Sequence, residues 1–463
     1  MAQSLFDTSY AQFGYGQTGY AQTEFAPASS VSTDLSRRAL FRAGGYLGAG
    51  AALSTLPFGR PAFAHDVSQA WPNAAAIAKK YLDERKVANL FMTMGWGQED
   101  HAHTVGGGKL SLVSDKDVDE NSLYRIYSMI KPITGMAIMM LIDEGKLGLD
   151  QPVYDLLPKF KDMQVLKDPE GALEDTVKAD KAITIRHLLT HTAGLGYIVT
   201  SKGPQLKAYQ DQGLTGGRVS RFPIPGIPTI TSAPSLEVWA DRLAEVPLTV
   251  QPGTKWIYSA SIDLLGRLIE VESGMDFETF LKTRMFEPLG MDSTWMTLPE
   301  SEKGRFTDNY GILNGTPLPI DPAGNSIYLD APTVPSGGGG LISSPKDYDR
   351  FLRMLLGYGK LGDERIMSEE AVRVGVSNLI PEGVDLKGSW VEGQGHGAGG
   401  RSANGQFGWG GAAGTLGAVD FNVGLRAALW TQYMPTEAFP IRDEYLAALK
   451  SDIASMLKAK KAA

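Results

Sequence analysis

The β-forming segments of this chain lie at its two ends, and the helical patterns lie between them. Ala88 to Met94 and Ser122 to Tyr127 read as strands near the start, and Gly414 to Phe421 and Leu425 to Gln432 near the end. In between, Ile133, Met136, Ala137, Met140 and Leu141 recur with the 3.6-residue period of a helix that stops near Gly145. Asp263 to Glu272, Phe277 to Met285 and Pro345 to Leu356 also read as helices, as do Ala74 to Arg85 and Ile441 to Lys458 toward the termini. Gly106-Gly107-Gly108 and the charged run Asp115 to Glu120 read as turns. Neither end alone supplies a full sheet, so the two ends are expected to build one sheet together. The implied fold class is α/β in the α+β sense, in two lobes. Residues 65–127 and 336–463 form a discontinuous α/β lobe, and 128–335 form a mainly helical one.

The first 64 residues are set apart as an address. Repeats such as Tyr10-Ala11-Gln12 and Tyr20-Ala21-Gln22 show no apolar periodicity. Arg37-Arg38 then precede a weakly apolar, glycine-rich run, and Ala62-Phe63-Ala64 offers the small residues a signal peptidase reads. The pattern is that of a Tat-type signal handled by the Tat export machinery, with cleavage after Ala64 and a periplasmic or secreted product. No stretch is long and apolar enough for a stable membrane span. The chain has no cysteine, which removes disulfides, thiolate nucleophiles and zinc–cysteine sites. Its formal net charge of -8 argues against nucleic acid as the partner.

Ser-x-x-Lys occurs three times. Ser455–Lys458 falls on the solvated face of the terminal helix. Ser343 and Ser344 precede Pro345 and read as a helix cap. Ser128–Lys131 alone sits where a β-run turns into an apolar helix, with free amides and a positive dipole end beside the hydroxyl. Positions i and i+3 share a helix face, so Lys131 stands next to Ser128. A serine hydroxyl needs a neighbour to take its proton, and a lysine whose own proton is loosened by its surroundings can replace histidine in that task.

Ser128-Met129-Ile130-Lys131 and four further stretches, taken together, resemble the serine β-lactamases, penicillin-binding proteins and, above all, family VIII carboxylesterases. The stretches are Ile185 to Leu195, Gln251-Pro252-Gly253-Thr254 with Tyr258-Ser259, Ser336 to Leu341, and Trp409-Gly410-Gly411-Ala412-Ala413-Gly414-Thr415. They run in the family's order over nearly all of the chain beyond the leader. The resemblance implies a β-lactamase/transpeptidase-like antiparallel sheet flanked by helices, with a site between the lobes. It implies that Tyr258 shares the base role with Lys131, and that the backbone amides of Ser128 and Ala412 form an oxyanion hole. It also implies that Trp409, Gly410 and Gly411 touch substrate, and that neither cofactor nor metal is needed. Two departures matter. Ala260 stands where the penicillin-recognising branch has asparagine, and Trp409 where it has lysine or histidine. Both remove polar groups that would hold a β-lactam. The expected substrate is therefore a small ester. The alternatives are an amidase or peptidase of the same family (a D-aminopeptidase, or a linear-amide or β-lactam hydrolase) and a non-catalytic penicillin-binding-like sensor.

Other constellations carry less. His187 and His191 lack a third metal ligand and read as structural. No Gly-x-Ser-x-Gly elbow occurs. The run Gly337 to Gly340 lacks the Lys-Ser/Thr of a phosphate loop and suits close backbone packing. Trp239 and Trp256 are explained equally by core packing and by a pocket wall.

Overall fold

The computed structural model describes residues 67–224 and 230–462. The leader, its paired arginines and the cleavage point, on which the export expectation rests, lie outside the described residues. The strands at the two ends do meet. Seven form one antiparallel sheet, in the order Gly395–His396, Arg401–Ala403, Gln406–Gly410, Leu416–Asp420, Leu425–Trp430, Asn89–Trp96, His103–Gly108. The join pairs Phe91 with Trp430 and Trp96 with Leu425.

Alternation along Asn89–Trp96 assigns its two faces. Leu90, Met92 and Met94 join Leu425, Ala427 and Leu429 under the helices Pro72–Asp83 and Ile441–Ala462. Phe91, Ala428 and Trp430 point the other way, into a cluster that continues through the helix Ile130–Asp143 and on to Leu264 and Phe280. The sheet is thus covered on both faces, which is why Leu425–Trp430 is buried at every residue. Ile130–Asp143 is buried from Ile130 to Leu141, an apolar helix at the centre of the molecule.

Several elements depart from expectation. Gly106-Gly107-Gly108 is not a turn but the end of the edge strand His103–Gly108. The three glycines have φ of 89°, 156° and 103°. A Cβ on Gly106 would stand 2.0 Å from the Leu90 carbonyl, and one on Gly108 2.9 Å from Leu82 of the overlying helix. Glycine here lets a helix lie directly on a sheet edge. The central helix begins at Ile130, three residues earlier than its apolar period suggests, and the preceding strand shrinks to Tyr124–Arg125. Phe277 to Met285 divides into one α-turn, Phe277–Leu281, and a π-turn, Lys282–Phe286. The hairpin Asn309–Leu313 and Thr316–Asp321 was not legible as β, and Tyr433–Met434 adds to it in parallel. Ser344 does cap Pro345–Leu356, accepting from the Asp347 amide.

Gly135 yields a test of this packing. Alanine normally stabilises a helix interior over glycine by roughly 1 kcal/mol. At Gly135 the added Cβ would stand 2.1 Å from the Ala398 carbonyl oxygen. Gly135→Ala is therefore expected to destabilise by about 1–3 kcal/mol, seen as a lower urea midpoint at constant m-value. A neutral or stabilising result would contradict the contact.

Candidate active site

The site starts from a bent strand end. Tyr124–Arg125 pairs with Ile342–Ser343, and the Ile126 amide donates to the Leu341 carbonyl at 3.0 Å. The buried Arg125 guanidinium holds the Asp321 carboxylate at 2.7 Å and the Thr307 carbonyl at 2.6 Å, which fixes this strand against its neighbours. Tyr127 then takes φ 42°, a left-handed conformation costly for a bulky residue. Burial of its ring, with the hydroxyl accepting from Asn309 at 3.1 Å, holds it there. The turn that follows, Tyr127–Met129, carries Ser128 into the head of the central helix and leaves it partly open to solvent.

At that point the three residues picked out in the sequence converge. Ser128 Oγ lies 2.7 Å from the Tyr258 hydroxyl, and Lys131 Nζ donates to Ser128 Oγ at 3.2 Å. Lys131 is fully buried. Its Nζ also donates to the Gly338 carbonyl at 2.6 Å and lies 4.7 Å from the Tyr258 ring centre. The glycine run is therefore more than packing, because it supplies an acceptor for the amine. Behind it sits Asp263, fully buried, accepting from Ser336 Oγ at 2.5 Å and from the Gly338 amide at 3.0 Å. Burial pushes the Asp263 carboxyl up, and the nearby Lys131 charge and these hydrogen bonds oppose it. A Cβ on Gly337 would stand 2.5 Å from the Ile262 carbonyl, so only glycine brings this segment so near the helix Ser261–Ser273.

Tyr258 is placed by the stretch Ile185 to Leu195 and its continuation. The Ile257 amide donates to the His191 carbonyl at 2.9 Å, the Gly253 amide to Thr192 at 2.7 Å, and the Ala260 amide to Gly196 at 3.0 Å. His191, at φ 57°, packs its ring 4.9 Å from that of Tyr258 and accepts from the Ser259 amide at Nδ1. His187 closes a capping box with Thr184. No group of acidic or histidine side chains suited to a metal occurs among the described residues.

The Trp409 stretch forms the other wall. Gln406–Gly410 and Leu416–Asp420 pair, and the turn between them is closed by the Gly411 amide on the Thr415 carbonyl at 2.8 Å. Arg442 of the C-terminal helix donates to the carbonyls of Gly411 and Thr415. A Cβ on Gly411 would stand 2.2 Å from the Ile126 carbonyl, so this turn abuts the approach to Ser128. A Cβ on Gly410 would meet Arg442. Among the described residues the Ala412 amide makes no hydrogen bond, while its carbonyl accepts from Thr436. Trp409 is nearly buried, stacked 5.9 Å from Tyr258 at 21°. Trp256 also stacks on Tyr258, at 6.3 Å, whereas Trp239 is wholly in the core. Asp263, the Gly338 carbonyl, the His191–Tyr258 contact and Trp390, whose ring centre lies 4.5 Å from that of Tyr258, are not marked by any motif or spacing in the sequence. An aspartate in the apolar run Ile262-Asp263-Leu264-Leu265 was the one signal available for any of them.

The family model described as Beta-lactamase matches residues 79–451. Protein Rv1367c of Mycobacterium tuberculosis (strain ATCC 25618 / H37Rv) is 34% identical over 283 residues, 61% of this chain and 66% of its own. Esterase EstB of Burkholderia gladioli is 30% identical over 250 residues, 51% of this chain and 57% of its own. The matched region thus spans just under two thirds of the first relative's length. The solved structure of EstCE1, described as a hydrolase with promiscuous acyltransferase activity, superposes with TM-score 0.66 at 23% identity, over 83% of this chain and 99% of that one. That likeness shows the fold, a β-lactamase/transpeptidase-like antiparallel sheet with flanking helices.

Three buried imidazoles make the molecule sensitive to acid. Burial, with the nearby Lys181 charge, holds His187 down at about 4. Burial holds His396 at about 3 and His191 well below its usual value. In the unfolded chain each takes a proton near 6.5. Protons therefore favour unfolding, and stability is full above pH 6.5 and lost as pH falls toward the folded values. Each group contributes a slope of about 1.4 kcal/mol per pH unit in its window. Urea midpoints measured at pH 7 and pH 5 should fall steeply, and His396→Gln should flatten the decline. A midpoint that stays level would refute the burial argument.

Proposed function

The chain belongs to the Beta-lactamase family, and from that premise we propose that it is a serine carboxylesterase working through an acyl-enzyme at Ser128. The observation that carries this reading is the meeting of Ser128 Oγ, Tyr258 and Lys131 within 2.7 and 3.2 Å.

Ser128 Oγ attacks the ester carbonyl carbon as its proton passes to Tyr258 and Lys131. The carbonyl oxygen becomes an anion, held by the amides of Ser128 and Ala412. As the intermediate collapses, the C–O bond to the alcohol breaks and the same phenol–amine couple returns the proton to the leaving oxygen. Water then repeats the sequence on the acyl-enzyme and releases the acid. An alcohol in place of water would give transfer instead, the reaction class in EstCE1's description. Ala260 and Trp409, in the places of the polar residues of the penicillin-recognising branch, support an ester over a β-lactam. The twin-arginine leader supports export by the Tat machinery to the periplasm or beyond.

Ser128→Ala should abolish turnover of a chromogenic acetate ester and labelling by a fluorophosphonate. Tyr258→Phe should lower kcat/KM by roughly 10²–10⁴ while the far-UV spectrum is unchanged. Undiminished turnover in Ser128→Ala would sink the assignment. Faster turnover of the amide than of the ester of one acyl group would favour the amidase reading.

A further inference from the structure

The described tryptophans beside Tyr258 are covered, except one. Trp409 and Trp256 are 5% and 4% exposed, and Tyr258 itself 7%. Trp390 is 37% exposed. Its ring lies 4.5 Å from Tyr258 at 38° and 6.4 Å from Trp409 at 33°. It is therefore the outer leaf of an aromatic wall whose inner leaf carries the phenol that touches Ser128. The wall is anchored on both sides. The Trp256 amide donates to Asp385 and the Asp385 amide to Thr254, the Trp390 carbonyl accepts from Arg401 at 2.9 Å, and the next residue, Val391, is fully buried. A broad ring stacked beside the phenol and partly open to water presents an apolar face on the Tyr258 side of Ser128.

Its position says which half of a substrate it meets. In the acyl-enzyme chemistry proposed above, on which this inference rests, Tyr258 returns the proton to the leaving oxygen. The alcohol half of the ester must then pass along the Tyr258 side of Ser128. Trp390 continues that side out to solvent. We propose that Trp390 is a specificity residue for the alcohol half, and that the site favours esters whose alcohol carries an aromatic ring or a broad apolar face. The acyl half, on the opposite side of the attacked carbon, is read elsewhere.

The test crosses two ester series in wild type and Trp390→Ala. In the first, acetates of ethanol, phenol and 2-naphthol share one acetyl-enzyme, so kcat/KM isolates acylation. The ratio of kcat/KM for 2-naphthyl acetate to that for ethyl acetate should fall about tenfold in the variant, the size expected for losing one ring-on-ring contact with its buried area. Trp390→Phe should restore most of it. In the second series, 2-naphthyl esters of lengthening acyl chains, the loss should be the same for every chain. An unchanged first ratio, with both substrates slowed equally, would make Trp390 merely a prop for Tyr258 and overturn the proposal. A loss that grows with acyl length would overturn it too, placing Trp390 on the acyl side. Fluorophosphonate labelling of Ser128 in the variant shows that its nucleophile is intact, and failure of the esterase reading would show separately, as wild type that turns over none of the acetates or that cleaves the amide of an acyl group faster than its ester.

Discussion

A buried amine is the constraint around which this site is built. Lys131 has no exposure, so its N–H groups must find acceptors inside the protein. One is the Ser128 hydroxyl and one is the Gly338 carbonyl. The second requirement reaches far into the fold. A backbone carbonyl comes that close only because residues 337 and 338 lack side chains and lie against the head of the helix Ser261–Ser273. Asp263, on that helix, then grips the same segment through the Gly338 amide and Ser336. The helix also begins just past Tyr258, so one short stretch both delivers the phenol and positions the acceptor for the amine. Removing either partner would strand a buried polar group, a larger loss than the bond itself is worth.

Tyr258 depends on a different device. Its segment has little regular structure, and its place is set by backbone hydrogen bonds to residues 191–196. That explains why a motif with two histidines and two threonines contributes no side chain to the Ser128–Tyr258–Lys131 cluster. His191 instead pairs a left-handed backbone with a ring laid on Tyr258. Tyr127 does something similar one residue before Ser128. The two sparsely populated backbone conformations stand on either side of the serine–tyrosine contact, where surrounding structure is rigid enough to hold them.

The sheet from two ends was legible because period-2 segments fell only at the termini, and the central helix because its period is unbroken from Ile133 to Leu141. Ser128, Lys131 and Tyr258 could be named because local spacing and ordered motifs survive without coordinates. What escaped depends on contacts between distant segments. Gly106 to Gly108 looks like a turn, since glycine's conformational freedom in a chain says nothing of the helix pressed on it. The Gly338 carbonyl is invisible to any reading of side chains. Trp390 sits in a stretch with no period at all, and only its neighbour 4.5 Å away gives it meaning.

The join between the first and last strands of the seven-stranded sheet has a bearing on when the molecule comes into being. Asn89–Trp96 finds its partner in Leu425–Trp430, and Asn73 on the first helix reaches Asp452 on the last. Arg442, which braces the turn bearing Ala412, is also near the end. A ribosome must therefore emit everything from Asn89 to Trp430 before the sheet closes, and pairing across such a span is slow. Until then the wall opposite Ser128 does not exist. Ser128 thus gains its opposite wall only after the helix Ile441–Ala462 has docked.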